Sequence, residues 1–97
     1  SMNNNPYLQK VITMNEKTLR ALIEAGAVKR IDIVAQGNRF HVDAITPNGS
    51  QTVVTLKGTI KGWSSLDSAA KWVRSLGMGK AQLDLVNWQP EQKGLRL

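Results

Sequence analysis

The sequence predicts an α+β domain: an antiparallel sheet of four to five strands, arranged as a meander, with a helix from the C-terminal half packed on one face and a short N-terminal helix. Two segments carry apolar stripes at helical spacing and are each followed by a glycine. Between and after them, β-branched residues and alternating apolar and polar positions indicate strands. The 97 residues suffice for one domain, expected at residues 13–88 between a flexible arm (1–12) and a tail (89–97).

The two predicted helices are recognised by their boundaries. The first starts after Asn15, a good N-cap residue, and stops at Gly26. The second starts after Ser65 and stops at Gly77. Helices this short are unstable alone in water, so each must dock its apolar stripe on another element.

Five segments are predicted as strands: residues 28–35, 39–45, 51–56, 59–63 and 80–86. The first two flank the turn Gln36-Gly37-Asn38 and therefore form a hairpin. A second clear turn, at residues 46–50, leads into the third strand. Gly58 and Gly62 interrupt the fourth, a pattern typical of a bulge or a strongly twisted edge strand. An antiparallel meander is the simplest arrangement of these segments.

The chain is basic, with 13 Lys and Arg against 7 Asp and Glu, a net charge of +6 and a pI near 10.1. This balance favours polyanionic partners such as nucleic acid. The alternative is that the charge serves solubility, because the basic residues are scattered along the chain. The charge supports a binding surface only if folding gathers them.

Cysteine usage and hydropathy bear on the cell compartment. The chain has no cysteine, which excludes disulfides and thiolate metal sites and suits a reducing cytoplasm. It has no apolar run near the ~20 residues that span a membrane, and its first residues lack the apolar core of a signal peptide. We therefore expect a soluble cytoplasmic protein with no membrane partner.

Basic and aromatic residues alternate with small ones along the predicted sheet. A sheet covered by a helix on one side leaves its other face free, where cations hold phosphates and an aromatic ring stacks on a base. The candidate nucleic-acid-binding residues on this face are Arg39, His41, Lys57, Lys61 and Trp63. A solvated sheet face, with Trp63 tucked under the following helix, would give the same sequence.

Trp72 lies beside the apolar stripe of the second predicted helix, between Lys71 and Arg74. A half-exposed tryptophan next to cations is typical of an interaction hot spot, so Trp72 and Arg74 are candidates for a partner interface. The alternative is that Trp72 seals the edge of the core.

No catalytic or metal-binding constellation is present in the sequence. His41 is the only histidine, so a multi-histidine metal site is excluded. The aspartates are isolated and form no pair suited to acid and base roles. The segment Gly77-Met78-Gly79-Lys80 follows a helix and lacks the spacing of a phosphate loop. We expect neither an enzyme nor a cofactor.

Two segments carry a resemblance to a known family. Thr18-Leu19-Arg20-Ala21-Leu22-Ile23-Glu24-Ala25-Gly26-Ala27-Val28 and Trp63-Ser64-Ser65-Leu66-Asp67-Ser68-Ala69-Ala70-Lys71-Trp72-Val73-Arg74-Ser75-Leu76-Gly77 resemble the small ParC-type partition-associated proteins of bacterial plasmids and integrative elements. These are unrelated to the topoisomerase subunit of the same name. The resemblance implies a role beside a partition ATPase and a centromere-binding protein, or in maintenance and transfer of a mobile element.

Two functions are compatible with these features. The first is a small non-enzymatic DNA-binding accessory protein of a plasmid or mobile element, which the charge favours. The second is an adaptor that binds a protein of the same partition or conjugation machinery through its helix. A homodimer is compatible with either, because a glycine-broken sheet edge leaves backbone groups that a second copy could pair.

Overall fold

The computed structural model describes residues 12–91 and has the expected α+β architecture, a five-stranded sheet with two helices. The elements in chain order are β1 (Thr13–Asn15), α1 (Glu16–Glu24), β2 (Arg30–Gly37), β3 (Arg39–Thr46), β4 (Gly49–Val54), α2 (Leu66–Ser75) and β5 (Gln82–Trp88). The predicted arm, except for residue 12, and the last six residues of the predicted tail lie outside the described residues.

The sheet is mixed, with the strand order β1-β4-β3-β2-β5. Only β2, β3 and β4 form an antiparallel meander, whereas β1 is parallel to β4 and β5 is parallel to β2. The prediction of a purely antiparallel sheet was therefore wrong at both edges. The physical reason is the helix in each connection, from β1 to β2 and from β4 to β5. The helix carries the chain back to the end of the sheet where the preceding strand began, so the two strands that it joins run parallel.

Both helices pack on the same face of the sheet. The connections β1–α1–β2 and β4–α2–β5 cross the sheet in the same direction, and such crossovers are almost always right-handed, so both put their helix on one side. α1 contacts β1 and β4, while α2 contacts β2 and β3. No helix in residues 12–91 covers the opposite face, here called the uncovered face.

The core lies between the helices and the covered face. Its buried apolar residues are Met14, Leu19, Ile31, Ile33, Ala35, Phe40, Val42, Ala44, Val53, Ala69, Val73 and Leu76. Within β2 and β3 they occupy alternate positions, as the two-residue period of a strand requires. In β3 these buried positions are Phe40, Val42 and Ala44.

Local sequence explains the ends of both helices. The Asn15 side chain accepts a hydrogen bond from the Thr18 N–H at 2.9 Å, and the Ser65 hydroxyl accepts one from the Ser68 N–H at 3.1 Å. Beyond the C-termini, Gly26 has a φ of 74°, a left-handed conformation that favours glycine. Within the described part of the chain, neither helix has the length and apolar composition that crossing a membrane would require.

The segment 59–63 is not a fourth strand of the meander. The β3–β4 ladder ends at the pair Asp43–Thr52, and the chain after β4 returns to the place where the two strands diverge. There the Lys61 N–H donates to the Val53 carbonyl at 3.1 Å, and Trp63 exchanges two backbone hydrogen bonds of 2.9 Å with Phe40 of β3. This segment therefore contacts both strands inside the sheet and is not an edge.

Candidate nucleic-acid interface

One end of the sheet collects the features of a binding site. The four mutually parallel strands β1, β2, β4 and β5 end there, both helices begin there, and β3 starts there with Arg39. In open α/β sheets, ligands bind outside the carboxyl ends of the strands, where loops and helix N-termini meet. The turn after β4 and the segment 59–63 lie at this end as well.

The five predicted nucleic-acid-binding residues come to this end but do not share a sheet face. Lys57 lies in the turn after β4, closed by the hydrogen bond from the Gly58 N–H to the Thr55 carbonyl at 2.9 Å. Arg39 and His41 alternate with the buried Phe40 and therefore point to the uncovered face. Lys61 and Trp63 lie on the helix side.

Strand pairing explains the position of Trp63. Directly paired residues point to the same face, and its partner Phe40 belongs to the core. Trp63 is accordingly partly buried against α2, with its ring centroid 4.9 Å from that of Trp72. A position under the following helix was the alternative to an exposed Trp63 ring on the sheet face, and the structure has this arrangement.

Trp72 forms a seam between the two helices. Its indole N–H donates to Glu16 Oε1 at 3.3 Å, and the Lys61 ammonium lies 5.7 Å from the centroid of its ring. The same ammonium is 5.5 Å from the centroid of Trp63, so both rings share one cation. Trp72 is therefore largely occupied by contacts within the protein.

Glu16 is the acidic member of this seam. Its carboxylate accepts a hydrogen bond from Arg20 Nε at 2.8 Å, and this bond is the main reason that its pKa is below the usual value. Bonding to Trp72 and the charge of Lys61 lower the pKa further, against an opposing effect of burial. Arg20 also reaches the carbonyl of Ser75 in α2 at 3.4 Å. Glu16 therefore stays ionised and neutralises Arg20.

The predicted partner residues Trp72 and Arg74 do not form one patch. Two positions apart on a helix, side chains point in nearly opposite directions. Trp72 faces α1, whereas Arg74 lines a small cavity on the other flank of α2 together with Ile33 and Lys80. The two side chains therefore lie on different sides of α2, and a partner interface that uses them stays a prediction.

Four cations lie at the carboxyl ends of the parallel strands: Lys17, Arg39, Lys57 and Lys61. We call this end of the sheet the basic edge; the name does not refer to an edge strand. None of the four cations takes part in an ion pair within residues 12–91. Lys17 and Lys61 line an open cavity of about 490 Å³ beside the start of α1. The guanidinium of Arg39 lies against Gly62, where an added Cβ would be 3.2 Å from Nη2. The basic edge thus combines unpaired charge with space for a ligand.

Helix dipoles make the two ends of the sheet electrostatically different. At the basic edge both helix N-termini contribute partial positive charge, which Glu16 and Asp67 in the first turns partly offset. Lys29 and Lys80 lie at the opposite end, around a separate cavity near the C-terminal end of α2. There the partial negative charge of the helix C-termini offsets them.

The uncovered face around His41 carries paired carboxylates. Asp32 and Asp43 are directly opposite each other, and Asp32 is bonded by Arg30 at 2.7 Å. Burial raises the pKa of Asp43, but hydrogen bonds from His41 and Thr52 outweigh it, so the pKa lies below the usual value. The predicted basic sheet face is not present at this point, because the His41 Nε2 atom lies 3.4 Å from Asp43.

Lys17 was missed by the sequence prediction. It reaches the basic edge because the three-residue strand β1 pairs with β4, and no local pattern signals that parallel pairing. In the described part of the chain, no group of three or more histidine, aspartate or glutamate side chains is arranged to hold a metal ion.

Comparison with known proteins identifies no relative: no protein-family model, curated protein or solved structure matches this chain. The class of protein is therefore defined by its own architecture, a two-layer α+β domain with a mixed five-stranded sheet and a basic edge.

Proposed function

We propose that this protein is a small non-enzymatic DNA-binding accessory protein that contacts the phosphate backbone through its basic edge. The supporting observation is the convergence of Lys17, Arg39, Lys57 and Lys61 at the end of the sheet where both helices begin. The role in partition or maintenance of a plasmid or mobile element follows from the resemblance of the two helical segments to ParC-type proteins.

Phosphate binding accounts for a cluster that costs free energy without a partner. Like charges at one end of a small domain repel each other. A nucleic acid backbone relieves it, because each neutralised phosphate also releases condensed counterions. Lys17 and Lys57 are exposed, so a long polyanion can reach both without a change in fold.

The test is fluorescence anisotropy with labelled single-stranded and duplex DNA between about 50 and 200 mM salt. The variant Lys17→Ala/Lys57→Ala removes two charges from the basic edge. The control Lys29→Ala/Lys80→Ala removes two charges from the opposite end, so both variants have the same net charge. All four side chains are exposed, and neither pair contributes to the core.

We expect wild type to bind more weakly as salt rises. Loss of two phosphate contacts should reduce the slope of log affinity against log salt by about 1.8 on duplex DNA or about 1.4 on single strands. The control should keep the wild-type slope. Equal losses in both variants would indicate a net-charge effect and contradict the basic edge as the binding site.

The second candidate function is a protein–protein adaptor of the same machinery, and β5 is the observation that favours it. All seven residues of this edge strand are exposed, including Val86 at 86%, and no lysine or proline protects it. This strand also provides the surface for a homodimer. The homodimer was expected at the glycine-broken segment 59–63, but that segment lies inside the sheet. An adaptor would not bind the labelled DNA even at low salt, which separates the two candidates in the same titration.

A further inference from the structure

A second cavity opens beside the basic edge, between the end of β5 and the start of α2. It has a volume of about 310 Å³, and Leu66, Leu85 and Trp88 form its apolar wall. Asn38 and Ser64 add an amide and a hydroxyl to its lining. Apolar walls with a few polar groups are typical of sites for small planar ligands.

Trp88 is held in place while much of its ring stays accessible. Its backbone pairs with Gly37, and the next residue, Gln89, donates its N–H to the Gly37 carbonyl at 2.6 Å. On one side the ring packs against Phe40, with centroids 6.1 Å apart and planes tilted by 48°. The residue is nevertheless 42% exposed. A fixed and accessible aromatic ring loses little conformational entropy when a second ring stacks on it.

The cavity adjoins the basic edge at the start of β3, on the opposite face from the Arg39 side chain. Asn38 and Phe40 line the cavity, and the residue between them is Arg39. Ser64 follows Trp63, the end of the segment that carries Lys61. A planar group in the cavity therefore contacts residues that are one position from Arg39 and three positions from Lys61 along the chain.

We propose that this cavity receives one unpaired base of a single-stranded nucleic acid, which stacks on Trp88 while the basic edge holds neighbouring phosphates. This inference rests on the proposed function and refines it. Charge complementarity selects the occupant, since a strand of nucleotides joins a planar ring to anions at short intervals. A paired base inside a duplex cannot enter, so the site should favour single strands.

The experiment compares three labelled ligands of equal length: an oligothymidylate strand, an abasic strand with the same number of phosphates, and a duplex. Wild type should bind the oligothymidylate about tenfold more tightly than the abasic strand, because the stacking of one base on an aromatic ring has an effect of this size. Trp88→Ala should abolish this difference without changing affinity for the abasic strand. Trp88→Tyr should keep most of it.

The outcomes distinguish this inference from the proposed function. Absence of binding to all three ligands overturns both. Equal binding of the two single strands by wild type overturns the base site alone, and this result does not depend on any variant folding. A Trp88→Ala variant that keeps its base preference but changes its oligomeric state in light scattering would assign the cavity to a second copy and overturn the inference.

Discussion

Replacing Trp72 with alanine should strongly destabilise the domain, because the seam between α1 and α2 depends on that ring. Removing a buried tryptophan costs about 3–5 kcal/mol. Because the Trp72 side chain is partly exposed, the expected cost lies toward the lower end of that range. Its pairing with Trp63 at 4.9 Å contributes about 1 kcal/mol of this. We therefore expect a loss of about 3 kcal/mol, a large share of the roughly 5–15 kcal/mol typical of a domain.

Urea denaturation followed by circular dichroism measures this loss. With a slope of about 2 kcal/mol per molar urea, the midpoint should fall by about 1.5 M. The control is Lys71→Ala. The Lys71 side chain, next to Trp72 in the sequence, is 78% exposed and pairs only with Asp67. This surface change should shift the midpoint by less than about 0.3 M. A Trp72→Ala midpoint within that limit would show that Trp72 is a surface residue and refute the seam.

Two further predictions concern the surroundings of the seam and the basic edge. Gly62→Ala places a Cβ 3.2 Å from the guanidinium of Arg39, which is flexible and can move away. Thermal denaturation should therefore show unchanged stability or a gain of about 0.5 kcal/mol. A loss of stability above about 1 kcal/mol would mean that Arg39 cannot move. The pKa values of Glu16 and Asp43 are lowered on folding, so their contribution to stability is present above their unfolded pKa values near 4 and is lost as the pH falls through the folded values. Urea midpoints measured from pH 6 to 3 should decline less steeply for Glu16→Gln than for wild type, and parallel curves would contradict this.

Elements with local signals were predictable from the sequence. Both helices could be located because Asn15 and Ser65 cap the backbone through their own side chains. The β2–β3 hairpin followed from its turn, with Gly37 at a φ of 66°. In each case the determining contact lies within a few residues.

Features set by distant partners could not be predicted. The parallel pairing of β1 with β4 depends on how α1 crosses the sheet, so no strand was predicted at Thr13–Asn15. The position of Trp63 depends on pairing with Phe40, more than twenty residues earlier. The candidate cations were expected on one sheet face, but an alternation rule assigns faces only inside a regular strand, and the segment 59–63 is not one.

The mixed pairing of the sheet has a consequence for the order in which the chain acquires its structure. The hairpins β2–β3 and β3–β4 join neighbours in sequence, so closing them costs little entropy. The outer strands pair with distant segments, because α1, β2 and β3 separate β1 from β4, and β3, β4 and α2 separate β2 from β5. We expect backbone amides of the central meander to resist hydrogen exchange longest, and those of β5 to exchange by local opening. Trp88 would then be the last aromatic residue to reach its native position.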